Sequence, residues 1–290
     1  MSLIRLPDEL PTLRSPVLIA AFEGWNDAGE CATVALDVLA DGLVVSELAQ
    51  VDGEPLFDLQ QARPTVRTRQ DGGRAIDWPN LELSWARTEG ARGDVVLLRG
   101  AEPNLRWRSF CSELIDLARV LDVQLVLTVG ALQVDVPHTR PVPLTLTAAD
   151  PELGWDLDLR PSTYEGPTGI TGVLHVTAAA AGLPSLSLWA GVPHYLAATP
   201  YLRGGLVLVE RIAGLIGVDV PLARLARDAA AQTDEITALI EADPELAEYV
   251  TELESRTDTA EAEVGEGLPE PEISAEDRVA ELERYLRGER

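Results

Sequence analysis

Short, wholly apolar runs bounded by polar turns recur along the first 220 residues, and they constrain the fold more than any other feature of the chain. VLIAAF at 17–22, VVLL at 95–98 and LVLTVGAL at 125–132 are examples. Runs of this length are too short for ordinary helices and too uniform for strands with one wet face, so they read as strands covered on both sides. They alternate with amphipathic stretches of helical length, which is the pattern of an α/β fold with a mostly parallel sheet flanked by helices. None approaches the roughly 18 to 20 apolar residues of a membrane span. No basic-then-apolar leader opens the chain, so a cytoplasmic protein without membrane attachment is expected.

The same reading places elements along the chain. A buried strand is expected over 16–22, then a helix over 26–42 with Asn26 as N-cap and Gly42 as its stop, then a returning strand over 42–50. The DGG turn at 71–73 predicts a β-hairpin within 63–87. Strands follow at 94–100, 122–130 and 185–191, with helices near 104–121, 168–182 and 199–217. Gly204 and Gly205 each weaken the last helix by about 1 kcal/mol. Beyond Pro221 the strand signals stop. One long amphipathic helix broken at Asp243-Pro244, a Gly- and Pro-rich linker over 259–276 and a final helix over 274–288 are expected. The implied organisation is an α/β domain over 1–220 and a small acidic helical appendage over 221–290.

Charge narrows the function. The formal net charge is −25, and phosphate binding needs basic patches, so no nucleic-acid partner is expected. Residues 241–290 hold 17 acids and 5 arginines, a net of −12, which makes the appendage a distinct electrostatic object. All 23 basic residues are arginine, and lysine is absent. That removes the phosphate-loop lysine, the Schiff-base lysine and the lysines that clamp nucleotide phosphates. Cys31 and Cys111 lie in helical stretches and read as buried structural thiols, because no spacing matches a metal knuckle or a redox pair. No metal and no cofactor is expected.

In an open parallel sheet, ligands bind along the edge formed by the strand carboxyl ends. The residues that follow the predicted strands are strongly polar: Glu23, Asn26 and Asp27 after the first, and Arg99, Glu102 and Asn104 after the next. Asp135, His138 and Arg140 come after the third, and His194 and Tyr195 after the fourth. The tripeptide Val-Pro-His occurs at two of these exits. The segment from Tyr164 through Glu165 and Thr168 opens a helix whose free amides would suit an anion. These residues form one candidate binding or interface cluster, with ordinary loop polarity as the bland alternative. His175 reads as a satisfied core histidine. No catalytic residue is assigned, because nothing identifies a nucleophile and no dinucleotide fingerprint or GxSxG elbow occurs.

Five strings in fixed order, FEGWNDAG, RGAEPNLRW, GALQVDVPHTRP, YEGPTGI and GLPSLSLWAGVPHYL, resemble the PAC2 family, named for proteasome assembly chaperone 2, and above all its actinobacterial branch. The resemblance spans about residues 17–215 and extends to the acidic helical tail. It implies a phosphorylase/hydrolase-like α/β fold, a homo-oligomer, with a trimer as the favoured number, and a chaperone role toward proteasome subunits. Some members carry an ATP-grasp-like ligase label, against which the missing lysines count. The expected function is therefore a non-enzymatic protein-binding homo-oligomer related to proteasome assembly. A hydrolase or nucleoside-phosphorylase-like enzyme using the strand-end cluster is the alternative, by fold analogy alone. The acidic helices would either contact partners or serve solubility.

Overall fold

The computed structural model describes residues 2–88, 93–150, 164–196 and 200–267. Among these residues ten strands form in chain order: β1 (Ile4–Arg5), β2 (Val17–Ala21), β3 (Ser46–Val51), β4 (Thr65–Thr68), β5 (Arg74–Asp77), β6 (Leu81–Ala86), β7 (Val95–Gly100), β8 (Leu125–Val134), β9 (Leu144–Ala148) and β10 (Ser185–Pro193). Among the described residues six α-helices form: α1 (Cys31–Leu43), α2 (Trp107–Val120), α3 (Ile170–Ala180), α4 (Leu202–Ile216), α5 (Ala223–Glu241) and α6 (Pro244–Gly267).

Eight strands make one sheet in the order β1-β3-β6-β7-β2-β8-β10-β9. The four apolar runs recognisable in the sequence, β7, β2, β8 and β10, are its parallel centre. Further strands pair antiparallel at both flanks, which makes the sheet mixed. Alternate residues of each central strand serve two cores. Val17, Ile19 and Ala21 face the layer of α1 and α4, while Leu18, Ala20 and Phe22 face the layer of α2 and α3. This double burial explains why the runs lack polar alternation.

Several boundaries differ from the sequence reading. The first helix starts at Cys31, after a 3-10 turn at Ala28–Glu30, and it passes Gly42. Its reversal falls on Val44, whose φ of 53° is left-handed, so the return strand starts only at Ser46. β9 lay unmarked in the sequence, since LTLTA is a half-buried edge strand beside prolines. The hairpin of β4 and β5 forms as predicted, with Thr68 opposite Arg74. Gly204 and Gly205 are buried where α4 crosses α1. A Cβ there would lie 2.4 Å from Cys31 Sγ and 2.7 Å from Val34 Cγ1, so the two glycines permit the close helix crossing. The break at Asp243-Pro244 separates α5 from α6. Residues 259–267, expected in a linker, continue α6 as helix, while the rest of that linker and the helix expected over 274–288 lie outside the described residues.

Both cysteines are free and buried. Burial pushes the Cys111 thiol up to about 12 and the Cys31 thiol further, which suits inert packing groups. His175 is half-buried and bonded through Nδ1 to Ser185 Oγ at 2.8 Å. Burial lowers its pKa to about 4, so it packs as neutral imidazole.

Candidate functional site

The carboxyl ends of the four parallel strands share a border, but they do not end level. Ala21, the last residue of β2, pairs with Val129 of β8. β8 then runs five residues further, to Val134, where it pairs with Pro193 of β10. Five residues of extended chain span about 16 Å. The border is therefore stepped, and the polar residues divide between its two levels.

The lower level lies at the exits of β2 and β7. Glu23 and Ala101 form a parallel bridge, as do Asp27 and Ala131, and the Ala131 amide donates to the Asn26 carbonyl at 2.8 Å. Asn26 is almost fully buried, and its Nδ2 donates to Glu102 Oε1 at 2.9 Å. The same oxygen accepts from the Ile170 amide at 3.0 Å. The first amide of α3 is thus filled by the chain's own carboxylate. Gly169 is required beside it, because a Cβ would sit 2.0 Å from Asn26 Nδ2.

Asn26 does not cap α1; Asp27 does. One Asp27 oxygen accepts from the Ala32 amide at 2.6 Å, and the other accepts from the Thr33 amide and hydroxyl. Burial raises the Asp27 pKa to about 6 against the lowering effect of these bonds. Burial, with Asp37 and Glu30 nearby, also raises Glu23. The remaining lower residues brace the fold. Arg99 pairs with Asp37 of α1 and, at 2.9 Å, with Glu82 of β6. Asn104 Oδ1 accepts from the Asp58 amide at 3.0 Å. Tyr164 is exposed and donates to the Pro167 carbonyl, Glu165 is exposed, and Thr168 stands beside Gly172 at the start of α3.

The upper level gathers both Val-Pro-His corners. His138 is 2% exposed, and the Tyr195 hydroxyl accepts from its backbone amide at 2.8 Å. The same hydroxyl lies 2.9 Å from His138 Nδ1, while Nε2 lies 3.1 Å from Thr237 Oγ1. Thr237 already donates to the Thr233 carbonyl, so its oxygen accepts the Nε2 proton and Tyr195 donates to Nδ1. This assigns neutral His138 with its proton on Nε2. Burial lowers its pKa and Arg203 works in the same direction, against Glu254. Burial pushes Tyr195 up to about 12, so the hydroxyl keeps its proton.

His194 packs edge-on against Tyr195 and Tyr249, with Nδ1 3.4 Å from Asp135 and Nε2 3.3 Å from the Tyr249 hydroxyl. Arg140 forks onto both oxygens of Asp258 at 2.7 and 2.8 Å and reaches Glu254 at 3.3 Å. Thr237 belongs to α5, and Tyr249, Glu254 and Asp258 to α6. The upper level is therefore the seat of α5 and α6, and Glu254 and Asp258 of α6 meet the sheet border there. None of these four partners was singled out in the sequence. The spacing of Glu254 and Asp258 at i, i+4, on the side of buried Val250, was the available signal.

These features define a three-layer α/β protein whose polar strand exits are occupied largely by its own side chains and helices. The chain belongs to the PAC2 family, whose model matches residues 21–240. A PAC2 family protein from Streptomyces avermitilis is 46% identical over 81% of this chain and 99% of its own, with a TM-score of 0.74. A proteasome-assembly chaperone homologue from Mycobacterium tuberculosis is 42% identical over 81% and 99%, with a TM-score of 0.73. A second M. tuberculosis protein, of unknown function, is 30% identical over 99% of this chain and 96% of its own, with a TM-score of 0.83. No curated protein matches the chain. No helix among the described residues is long and apolar enough to cross a membrane.

Proposed function

We propose that this PAC2 protein is a non-enzymatic, protein-binding homo-oligomer that acts in proteasome assembly, in the cytoplasm. The proteasome link rests on the family and on the 42% identical M. tuberculosis relative. The observation that carries the non-enzymatic part is the occupancy of the upper level. His138 and His194, the rings best suited to acid–base chemistry, are bonded to Thr237 of α5 and Tyr249 of α6, Arg140 is paired with Glu254 and Asp258 of α6, and the Tyr195 hydroxyl is turned onto His138. A general base must reach a substrate proton, and these rings already have partners on both sides. In this reading the division near residue 220 separates an α/β domain that enters the oligomer from an acidic appendage that seals its border and offers its outer face to other chains, a second copy or a partner.

The test is capture of purified cognate proteasome α and β subunits by the full chain and by a chain ending at residue 221. Enrichment by the full chain, with slowed proteasome assembly in a deletion strain, is expected. No enrichment together with unchanged assembly removes the proposal. An enzyme would have to work at the lower level, where Glu23 and Asp27 have raised pKa values. Thermal stabilisation by nucleosides, phosphate or small peptides that vanishes in Glu23→Gln would favour that alternative.

A further inference from the structure

The hairpin of β4 and β5 stands outside the main sheet and, among the described residues, pairs only with itself. Both of its strands are largely exposed, and a lone two-stranded hairpin is marginal in water. Its two sides are unlike. Val66 lies directly opposite Ile76, and Trp78 falls on the same side two residues on; they are 50, 52 and 55% exposed. The other side carries the Arg67–Asp77 ion pair. Residues 63–78 hold four arginines against two aspartates, a net of +2 in a chain of net −25. The arm is thus an amphipathic, basic island on an acidic protein.

A surface of matching chemistry exists on the same chain. Around the α5–α6 corner Leu239 and Leu246 are 72 and 43% exposed. From Asp228 to Glu254 the sequence holds nine acids and no arginine. The topology keeps arm and corner apart: the arm is the connection between β3 and β6, while α5 and α6 sit at the exits of β8 and β10, on the other flank of the sheet.

We propose that the arm of one copy docks, through its Val66, Ile76 and Trp78 side and its arginines, onto the Leu239 and Leu246 corner of a second copy. The argument is charge complementarity combined with two apolar patches of similar kind at opposite flanks. Such a contact is head-to-tail, and repetition closes a ring when the rotation permits. This deepens the homo-oligomer part of the proposed function and requires no proteasome subunit.

The test measures the solution mass of the full chain by sedimentation equilibrium at low and high salt. The protomer is 31.3 kDa, and an integer multiple is expected for the unaltered chain. Arg69→Glu/Arg74→Glu should weaken self-association at least tenfold, as should Glu241→Arg/Glu245→Arg. The chain carrying all four changes should regain the original mass, because every contact then has its charges reversed together. All four positions are exposed, and unchanged circular dichroism excludes misfolding as the cause. A protomer mass for the unaltered chain, an unchanged mass in either double variant, or failure of the fourfold variant to recover overturns the proposal. An arm variant that keeps its mass but loses capture of proteasome subunits also overturns it, by assigning the arm to another protein. Failure of subunit capture by the unaltered chain removes the proteasome role and leaves this contact standing.

Discussion

Replacing Tyr195 by phenylalanine removes a single oxygen and leaves the packing volume almost unchanged, so its effect isolates the hydrogen bonds of the upper level. Two groups lose their partner: the His138 amide at 2.8 Å and the His138 Nδ1 at 2.9 Å. His138 is 2% exposed, so water does not replace the hydroxyl freely. An unsatisfied buried polar group costs about 1–3 kcal/mol, which gives roughly 2–4 kcal/mol for the pair after local relaxation. Thr237→Val removes the acceptor of Nε2, along with the hydroxyl's bond to the Thr233 carbonyl, and should cost about 1–2 kcal/mol. The double variant should cost less than the sum, because both changes act through one imidazole and one docking event. Urea unfolding followed by circular dichroism supplies the free energies, and hydrogen exchange in α5 reports whether the helices loosen before the sheet. A Tyr195→Phe protein within about 0.5 kcal/mol of the original, with α5 exchanging no faster, would refute the view that this network holds the helices down.

Other outcomes follow from the lower level and from titration. Gly169→Ala should lower the unfolding midpoint strongly, since its Cβ would clash with Asn26 and disturb the bonds that open α3. Glu102→Ala should cost about 2–4 kcal/mol in urea unfolding by stripping both Asn26 Nδ2 and the Ile170 amide. His138 and His175 have folded pKa values below the ordinary one, so the unfolded chain takes up their protons first. Stability should fall as pH drops below about 6.5, for His175 down to about 4. Asp27, raised to about 6, opposes this below pH 6, and His175→Gln should flatten the curve that urea midpoints trace between pH 7 and 5. A chain ending at residue 221 should become more susceptible to proteolysis near residues 135–140, which α5 and α6 otherwise cover.

The parallel centre of the sheet was legible because its strands are buried on both faces and therefore mostly apolar, with Thr128, Ser185 and Ser187 as small buried exceptions. β9 was not, since an edge strand of alternating Leu and Thr carries a weaker signal than its buried neighbours. Strand exits could be found from the same runs, but their level could not. The five-residue overrun of β8, which splits the candidate residues into two groups, depends on register. Asn26 and Asp27 are adjacent and both suit a cap, and only the path of the chain decides that Asn26 turns to Glu102 and Asp27 to α1. The helical character and apolar side of α5 and α6 were readable. Their target was not, because Arg140 and Asp258 are 118 residues apart and nothing local joins them.

That separation has a consequence for how the molecule is made. Synthesis proceeds from the N-terminus at roughly 5–20 residues per second. The His138 corner is therefore polymerised about 6–24 seconds before the last of its helical partners, and the nascent sheet waits with one end unroofed. Whatever shields a growing chain during that interval must release it when Asp258 arrives, so the final turn of the seat marks the moment at which the polypeptide stops needing outside cover.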